Sequence, residues 1–373
     1  MTRPPAPVWA MVAGGGTGGH VLPAIAVGRA LVAGGRPREA IHFVGSKRGV
    51  EGRLVPEAGF SLTLLPGRGI ARKLTLANVG AALGLVAAFG QALWLVARRR
   101  PNVVVSVGGY ASVPCALAAV LLRVPLVLVG LDAVPGAALR LVARFAAASA
   151  VAFDGTPLPR AVTTGNPVRP EIASADRSPA GRSAARAELG LPDGRSVVGV
   201  FGGSLGARRI NQAAIGLAEL WSDRDDIAVH HAIGRRDWPE LSARLPDTKG
   251  LAYHPVEYED RMPLLMAAAD VMVSRSGATT VAELAAVGVA AILVPLPGAP
   301  GDHQTANAAA LDRAGAATLV PDGELSAQRL ATELEKILGT PGRADAMAAA
   351  AKSLGRPNAA EAVAELVERH ARH

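Results

Sequence analysis

The sequence predicts an α/β protein of two domains, each a parallel sheet covered by helices on both faces. Three observations predict it. Near-continuous apolar runs alternate with helical patterns along all 373 residues, and strands buried on both faces read that way. Two of these runs, at residues 8–13 and 197–201, each lead through a glycine cluster into a helix, so the second half repeats the opening of the first. Between the halves, residues 169–196 are rich in Pro, Ala, Arg and Ser and interrupt the rhythm. A chain of this length also exceeds one ordinary core.

In order, the expected strands of the first domain are residues 8–13, 41–44, 103–107, 126–129 and 150–153. Those of the second are residues 197–201, 227–232, 271–274 and 290–295. The break at residues 169–196, which includes the polar segment 174–182, reads as the interdomain hinge, with a short helix at 186–189. Two such sheets joined by a hinge predict a ligand cleft at the carboxyl ends of their strands.

The most informative stretch is Gly14-Gly15-Gly16-Thr17-Gly18-Gly19-His20, followed by Pro23, well placed in a first helical turn. Strand, glycine turn and helix together aim backbone N–H groups and a positive dipole end at one point, which suits a phosphate or diphosphate. A plain tight turn is the alternative, but five glycines in residues 14–19 exceed what a turn needs. Gly14, Gly16 and Gly19 match the dinucleotide pattern, yet no acidic residue follows the second strand until Glu51. A nicotinamide or flavin dinucleotide is therefore disfavoured. His20 stands where a Walker loop needs Lys, which excludes that kind of NTP hydrolysis.

Composition narrows the classes further. The balance of 39 basic to 31 acidic side chains gives net charge +8, which suits anionic lipid or phosphorylated substrates. No aromatic-basic repeat or zinc spacing points to nucleic acid. The single Cys115 excludes an internal disulfide and fits a reducing compartment. No signal-peptide pattern opens the chain. Residues 74–97 carry no charge over 24 positions and are flanked by Arg72, Lys73, Arg98, Arg99 and Arg100. That length could span a bilayer. Because the segment lies between strands of one sheet, a helix packed on that sheet, with an apolar face against lipid and a basic rim, is the better reading. A wholly buried crossover helix is the alternative.

Six motifs taken together resemble the MurG family. They are the residues 14–20 turn, Gly108-Gly109-Tyr110-Ala111-Ser112, Gly165-Asn166-Pro167-Val168-Arg169, Gly202-Gly203-Ser204-Leu205-Gly206-Ala207-Arg208, Ser274-Arg275-Ser276-Gly277-Ala278-Thr279-Thr280, and Asp302-His303-Gln304. The resemblance covers nearly the whole chain, in the family's motif order. It implies a GT-B fold of two Rossmann-like domains facing a cleft. The N-terminal domain would comprise residues 1–170 and the C-terminal one residues 171–355, with a returning helix in 356–373. The implied activity is inverting transfer of GlcNAc from UDP-GlcNAc to the 4-hydroxyl of the muramoyl sugar of lipid I. Lipid II would be the product, in peptidoglycan synthesis and hence cell shape and division. The chain would work as a peripheral protein on the anionic cytoplasmic face of the cell membrane, with no cofactor, no metal and no nucleic-acid partner.

The resemblance also implies site residues. The acceptor diphosphate falls to Gly14, Gly15, Gly16, Gly108, Gly109 and Tyr110. Thr17, Gly18, Gly19, Asp132, Arg169, Ser204 and Glu259 go to UDP-GlcNAc, together with Ala278, Thr279, Thr280, Val281, Ala282, Glu283, His303 and Gln304. Independently, Ser204 at a helix-opening glycine turn and Arg169 with its guanidinium fork suit an oxyanion. Departing UDP gains negative charge that such donors stabilise. The acceptor hydroxyl needs a base, and His20 has a suitable ordinary pKa.

Each residue has a plainer reading. Thr280 and Glu283 have capping-box spacing, His303 and Gln304 could cap a helix near Thr305, His20 could cap the first helix, and Arg169 could be a surface charge. One departure concerns Val129-Gly130-Leu131-Asp132, where the family usually has His-Glu-Gln-Asn. Asp132 then takes the Asn position and its carboxylate could accept the acceptor's proton. A second is Glu259, where the family usually has Ile near the uracil. Rival functions are another GT-B glycosyltransferase, a UDP-GlcNAc 2-epimerase, and an inactive scaffold for wall synthesis.

Overall fold

The computed structural model describes residues 7–47, 49–66, 76–203 and 206–372, with only the backbone of 76–83. These fall into two compact units, one running to Arg169 and resuming at Arg356, the other Pro170–Gly355. The first unit holds β1 (Ala10–Gly14), β2 (Ile41–Ser46), β3 (Ser61–Leu65), β4 (Val103–Gly108), β5 (Leu126–Gly130), β6 (Ala148–Val151) and β7 (Ala161–Thr163). They form one parallel sheet ordered β3-β2-β1-β4-β5-β6-β7. The second unit holds β8 (Ser196–Phe201), β9 (Ile227–Ala232), β10 (Ala252–Val256), β11 (Val271–Ser274), β12 (Ala290–Leu293) and β13 (Ala317–Leu319). Its parallel order is β10-β9-β8-β11-β12-β13.

Both sheets reverse direction beside their first strand, between β1 and β4 and between β8 and β11. At that switch the connections leave in opposite directions and a crevice opens beyond the carboxyl ends of the two strands. The glycine turns after β1, β4 and β8 and the serine-glycine turn after β11 all stand there.

The interior strands are the apolar runs expected from sequence. Among the described residues, the four strands without such a run, β3, β7, β10 and β13, are the four sheet edges.

Residues 169–196 are not a hinge throughout, which corrects the expectation. The helix Pro179–Glu188 packs on Met262–Ala268 within the second unit, with Ser178 Oγ accepting from Gly181 N at its start. One guanidinium nitrogen of Arg177 donates to the carbonyls of Met266, Ala267 and Ala269 at 2.6–3.2 Å. Arg182 and Arg186 pair with Asp270, whose Oδ2 also accepts Val197 N at 2.7 Å. This charge-assisted cluster fastens a polar segment that lacks apolar side chains to hold it.

The C-terminal helix Ala359–His370 belongs to the first unit, packs on Gly18–Ala33 and buries Val363, Leu366 and Val367. Arg36 forks onto Glu368 with two bonds of 2.9 Å. The returning chain passes so close to Gly165 (φ +85°) that a Cβ there would overlap Arg356.

Helix Leu76–Arg99 packs on Ser112–Leu121 and buries Ala88, Ala92, Leu95 and Val96, one helical face. Val86 and Trp94 point outward. Leu74, Arg72 and Lys73 lie outside the described residues. Among the described residues no helix is long and apolar enough to cross a membrane.

Two buried histidines tie stability to pH. His42 sits between Ser61 Oγ and Thr63 Oγ1, each 2.8 Å away, and burial brings its pKa down from 6.5 to about 4. His231 is pushed to about 3, again by burial. An unfolded imidazole takes its proton near 6.5, so below that pH the unfolded chain binds more protons than the folded one. Stability therefore falls as pH drops from about 6.5, by up to about 1.4 kcal/mol per pH unit for each histidine. Urea midpoints measured at pH 7 and pH 5 check this: the midpoint at pH 5 is lower, and equal midpoints would contradict it.

Candidate active site

In the first unit, β1 ends at Gly14, and Gly15 (φ +146°) and Gly16 (φ +102°) turn the chain as no side-chain-bearing residue readily does. Gly15 N–H donates to Gly108 O at 3.2 Å. Gly109 (φ +82°) comes so near that a Cβ would overlap the Gly15 carbonyl oxygen. The turns after β1 and β4 thus meet backbone to backbone. Gly16 N–H donates to Glu51 Oε1 at 2.8 Å. Two of the amides expected to face a diphosphate, those of Gly15 and Gly16, are therefore used inside the fold. Any anion-facing role in this turn narrows to its end at Thr17 and Gly18, where the helix Gly18–Ala33 begins.

His20 is the third residue of that helix, its Nδ1 3.3 Å from Thr17 Oγ1. The opposite edge of the ring lies along Gly108, where a Cβ would be 3.1 Å from Cδ2 and 3.3 Å from Nε2. His20 and the half-buried Asp132, just past β5, line one pocket with Gly108, Gly109, Leu131 and Pro135. A base, a carboxylate and an apolar floor therefore share one recess at the switch point. Tyr110 is turned elsewhere: its hydroxyl donates to Pro66 O at 3.1 Å, tying the second turn to the end of β3.

In the second unit, Ser204 and Leu205 lie outside the described residues. The flanking Gly206 (φ +87°) is pressed against the Ile233 carbonyl after β9. Beneath it runs a buried polar network that sequence reading missed. Asn211 Nδ2 donates to Ile233 O at 2.9 Å and Asp237 Oδ2 at 3.0 Å. Its Oδ1 must then accept, so His231 carries its proton on Nε2 (3.1 Å), and Nδ1 accepts from Tyr253 OH at 2.9 Å. Arg236 bonds Asp237 and holds that carboxyl below the usual range, and it also reaches Gly206 O at 3.3 Å. The only sequence signal was polar residues in and beside an otherwise apolar strand.

The turn after β11 opens helix Ala278–Val287 with Gly277 as N-cap and no side-chain cap. Thr280 lies inside the helix, so the capping-box reading of Thr280 and Glu283 does not hold. Thr279, Thr280 and Ala282 are half-exposed, whereas Ala278, Val281 and Glu283 are buried. Ser276 Oγ donates to Gln304 O at 2.8 Å, and Asn307 Nδ2 to Ser276 O at 3.2 Å. These bonds bring the start of helix His303–Arg313 beside the turn. Helix His303–Arg313 begins at His303, not near Thr305. Gln304 Oε1 accepts Leu296 N–H at 3.0 Å, so contact with a ligand oxygen falls to its NH2. His303 Nδ1 donates to Pro300 O at 2.8 Å, which leaves Nε2 an acceptor.

Glu259 faces inward. Its Oε1 accepts Arg261 N at 2.7 Å and its Oε2 lies 2.8 Å from His230 Nε2. Burial raises the Glu259 carboxyl, but the Arg261 N–H, its guanidinium and His230 together leave it below the usual value. Burial keeps His230 low. A neutral imidazole against a carboxylate therefore shapes the loop after β10. Arg169 is half-exposed at the last residue of the first unit, ahead of Pro170.

Residues 10–151 match the N-terminal domain model of glycosyltransferase family 28 and residues 197–363 match its C-terminal domain model. A Frankia casuarinae protein is 41% identical over 360 residues, covering 96% of this chain and 94% of its own length. A Desulforudis audaxviator protein is 37% identical, covering 96% and 97% respectively. Both are named UDP-N-acetylglucosamine–N-acetylmuramyl-(pentapeptide) pyrophosphoryl-undecaprenol N-acetylglucosamine transferase. The crystal structure of Acinetobacter baumannii MurG superimposes with TM-score 0.77 at 28% identity, covering 97% of this chain and all of that one.

Proposed function

The chain belongs to the MurG branch of glycosyltransferase family 28, and on that premise we propose that it transfers GlcNAc from UDP-GlcNAc to lipid I, giving lipid II. The observation that carries the chemistry is the pocket shared by His20 and Asp132 at the switch point of the first sheet. The first unit takes the lipid-linked acceptor. His20 removes the proton of the muramoyl 4-hydroxyl as that oxygen attacks the anomeric carbon, with inversion. Asp132 orients the hydroxyl or shares the proton.

The second unit takes the nucleotide sugar. The turns after β8 and β11 receive the diphosphate with Ser204 and Arg169, and their donors stabilise charge on departing UDP. Thr279, Thr280 and Glu283 serve the ribose and phosphates, and His303 and Gln304 the sugar. With the Glu259 side chain turned inward, the uracil is read by backbone groups of that loop.

The membrane contact is the outward face of Leu76–Arg99 and its neighbours. Trp94 and Val86 are exposed on that helix, with Arg98 over Trp94 at 5.5 Å, and Leu121, Leu141 and Phe145 are exposed on later helices of the same unit, with Arg144 over Phe145 at 4.4 Å. Exposed apolar groups beside cations suit an anionic lipid interface, which makes the chain peripheral on the cytoplasmic face.

Radiolabelled UDP-GlcNAc supplied with and without lipid I tests the reaction: UDP release depends on lipid I, and release without it would point to an epimerase or hydrolase. His20→Ala lowers turnover by a factor on the order of 100 or more while UDP still binds; near-normal turnover removes His20 from the mechanism. In vesicle sedimentation, Trp94→Glu weakens binding to anionic vesicles about ten-fold or more, the loss of a buried aromatic side chain. Equal binding would move the lipid contact to another face.

A further inference from the structure

Glu51 opens the short helix Glu51–Glu57 just beyond β2, and it is 1% exposed. Its Oε1 accepts two backbone N–H bonds, from Gly16 at 2.8 Å and from Ser46 at 3.1 Å. Three glycines make room for it. A Cβ on Gly15 or Gly49 would overlap the carboxylate oxygens, and one on Gly45 would stand 2.8 Å from Cβ and Cγ. Amide donors converging on an oxyanion are the arrangement by which a glycine turn holds a phosphate oxygen. Here the anion belongs to the chain itself.

Resting on the transferase reading above, we propose that Glu51 is the resident anion of the first glycine turn and the residue that positions His20. The chain of contacts is continuous. Glu51 fixes Gly16, Gly15 is bonded to Gly108, Gly109 packs on Gly15, and the His20 ring lies along Gly108. Thr17 and helix Gly18–Ala33 follow directly from the fixed turn. Glu51 touches no substrate; it sets where the imidazole stands in the pocket with Asp132. The seat it fills is closed to the acceptor's diphosphate, which binds elsewhere in the first unit.

The test measures kcat, KM for both substrates and UDP binding by calorimetry in the full chain. Glu51→Ala lowers kcat about 10- to 100-fold, because a small misplacement of a reacting group costs that much. KM for UDP-GlcNAc and UDP affinity stay near wild type. Formate, a carboxylate small enough for the vacated seat, restores part of the lost kcat in this variant and does nothing to the wild type. If Glu51→Ala does not fold, Glu51→Asp carries the same test. Its carboxylate, one methylene short of Gly16, lowers kcat about ten-fold.

Wild-type kcat in the folded variant, or a loss that formate leaves untouched, overturns the positioning role. A wild-type protein that transfers nothing to lipid I fails the transferase reading instead, so the two failures are distinguishable.

Discussion

The close approach of two backbone turns at the switch point of the first sheet is the constraint on which the pocket depends. β1 and β4 are neighbours in space but are separated by two other strands in sequence, so their carboxyl-end turns are forced together. Only glycine lets them meet: Gly15 bonds Gly108 while Gly109 crowds the Gly15 carbonyl. His20 gains a defined position because the wall behind its ring is this bare backbone. A side chain at Gly108 would crowd the space that the imidazole occupies.

The second sheet repeats the topology but supports its turns differently. There the turn after β8 rests on side chains, the Asn211–His231–Tyr253–Asp237 network. Satisfied buried networks of this kind are rigid because breaking one bond strands a polar group in low dielectric. The inward Glu259 ties the loop after β10, its Oε1 accepting Arg261 N–H at 2.7 Å. Rigid support suits the nucleotide site proposed for this unit.

Burial explains what could be read from the sequence. Strands covered on both faces are continuous apolar runs, and all nine such expectations correspond to interior strands or their ends. β3 (SLTLL) and β10 (AYHPV) mix polar residues and a proline because one flank has no neighbouring strand. β7 and β13 are only three residues long. The polar segment before β8 looked like a linker because its attachment is by arginines to carbonyls and to Asp270, which leaves no hydrophobic period. The site was legible where glycine patterns mark turns. Glu51 was visible only as the first acid after β2, and its role depends on a fold that brings it under Gly16.

The two touching turns of the first unit are proposed to build the site of chemistry while the second unit binds the nucleotide independently. Gly109→Ala tests this most directly, by placing a methyl group against the Gly15 carbonyl at a positive φ. GlcNAc transfer is expected to fall about 100-fold while calorimetric UDP binding stays near the wild-type value. Transfer at the wild-type rate, or a parallel loss of UDP binding, would contradict it.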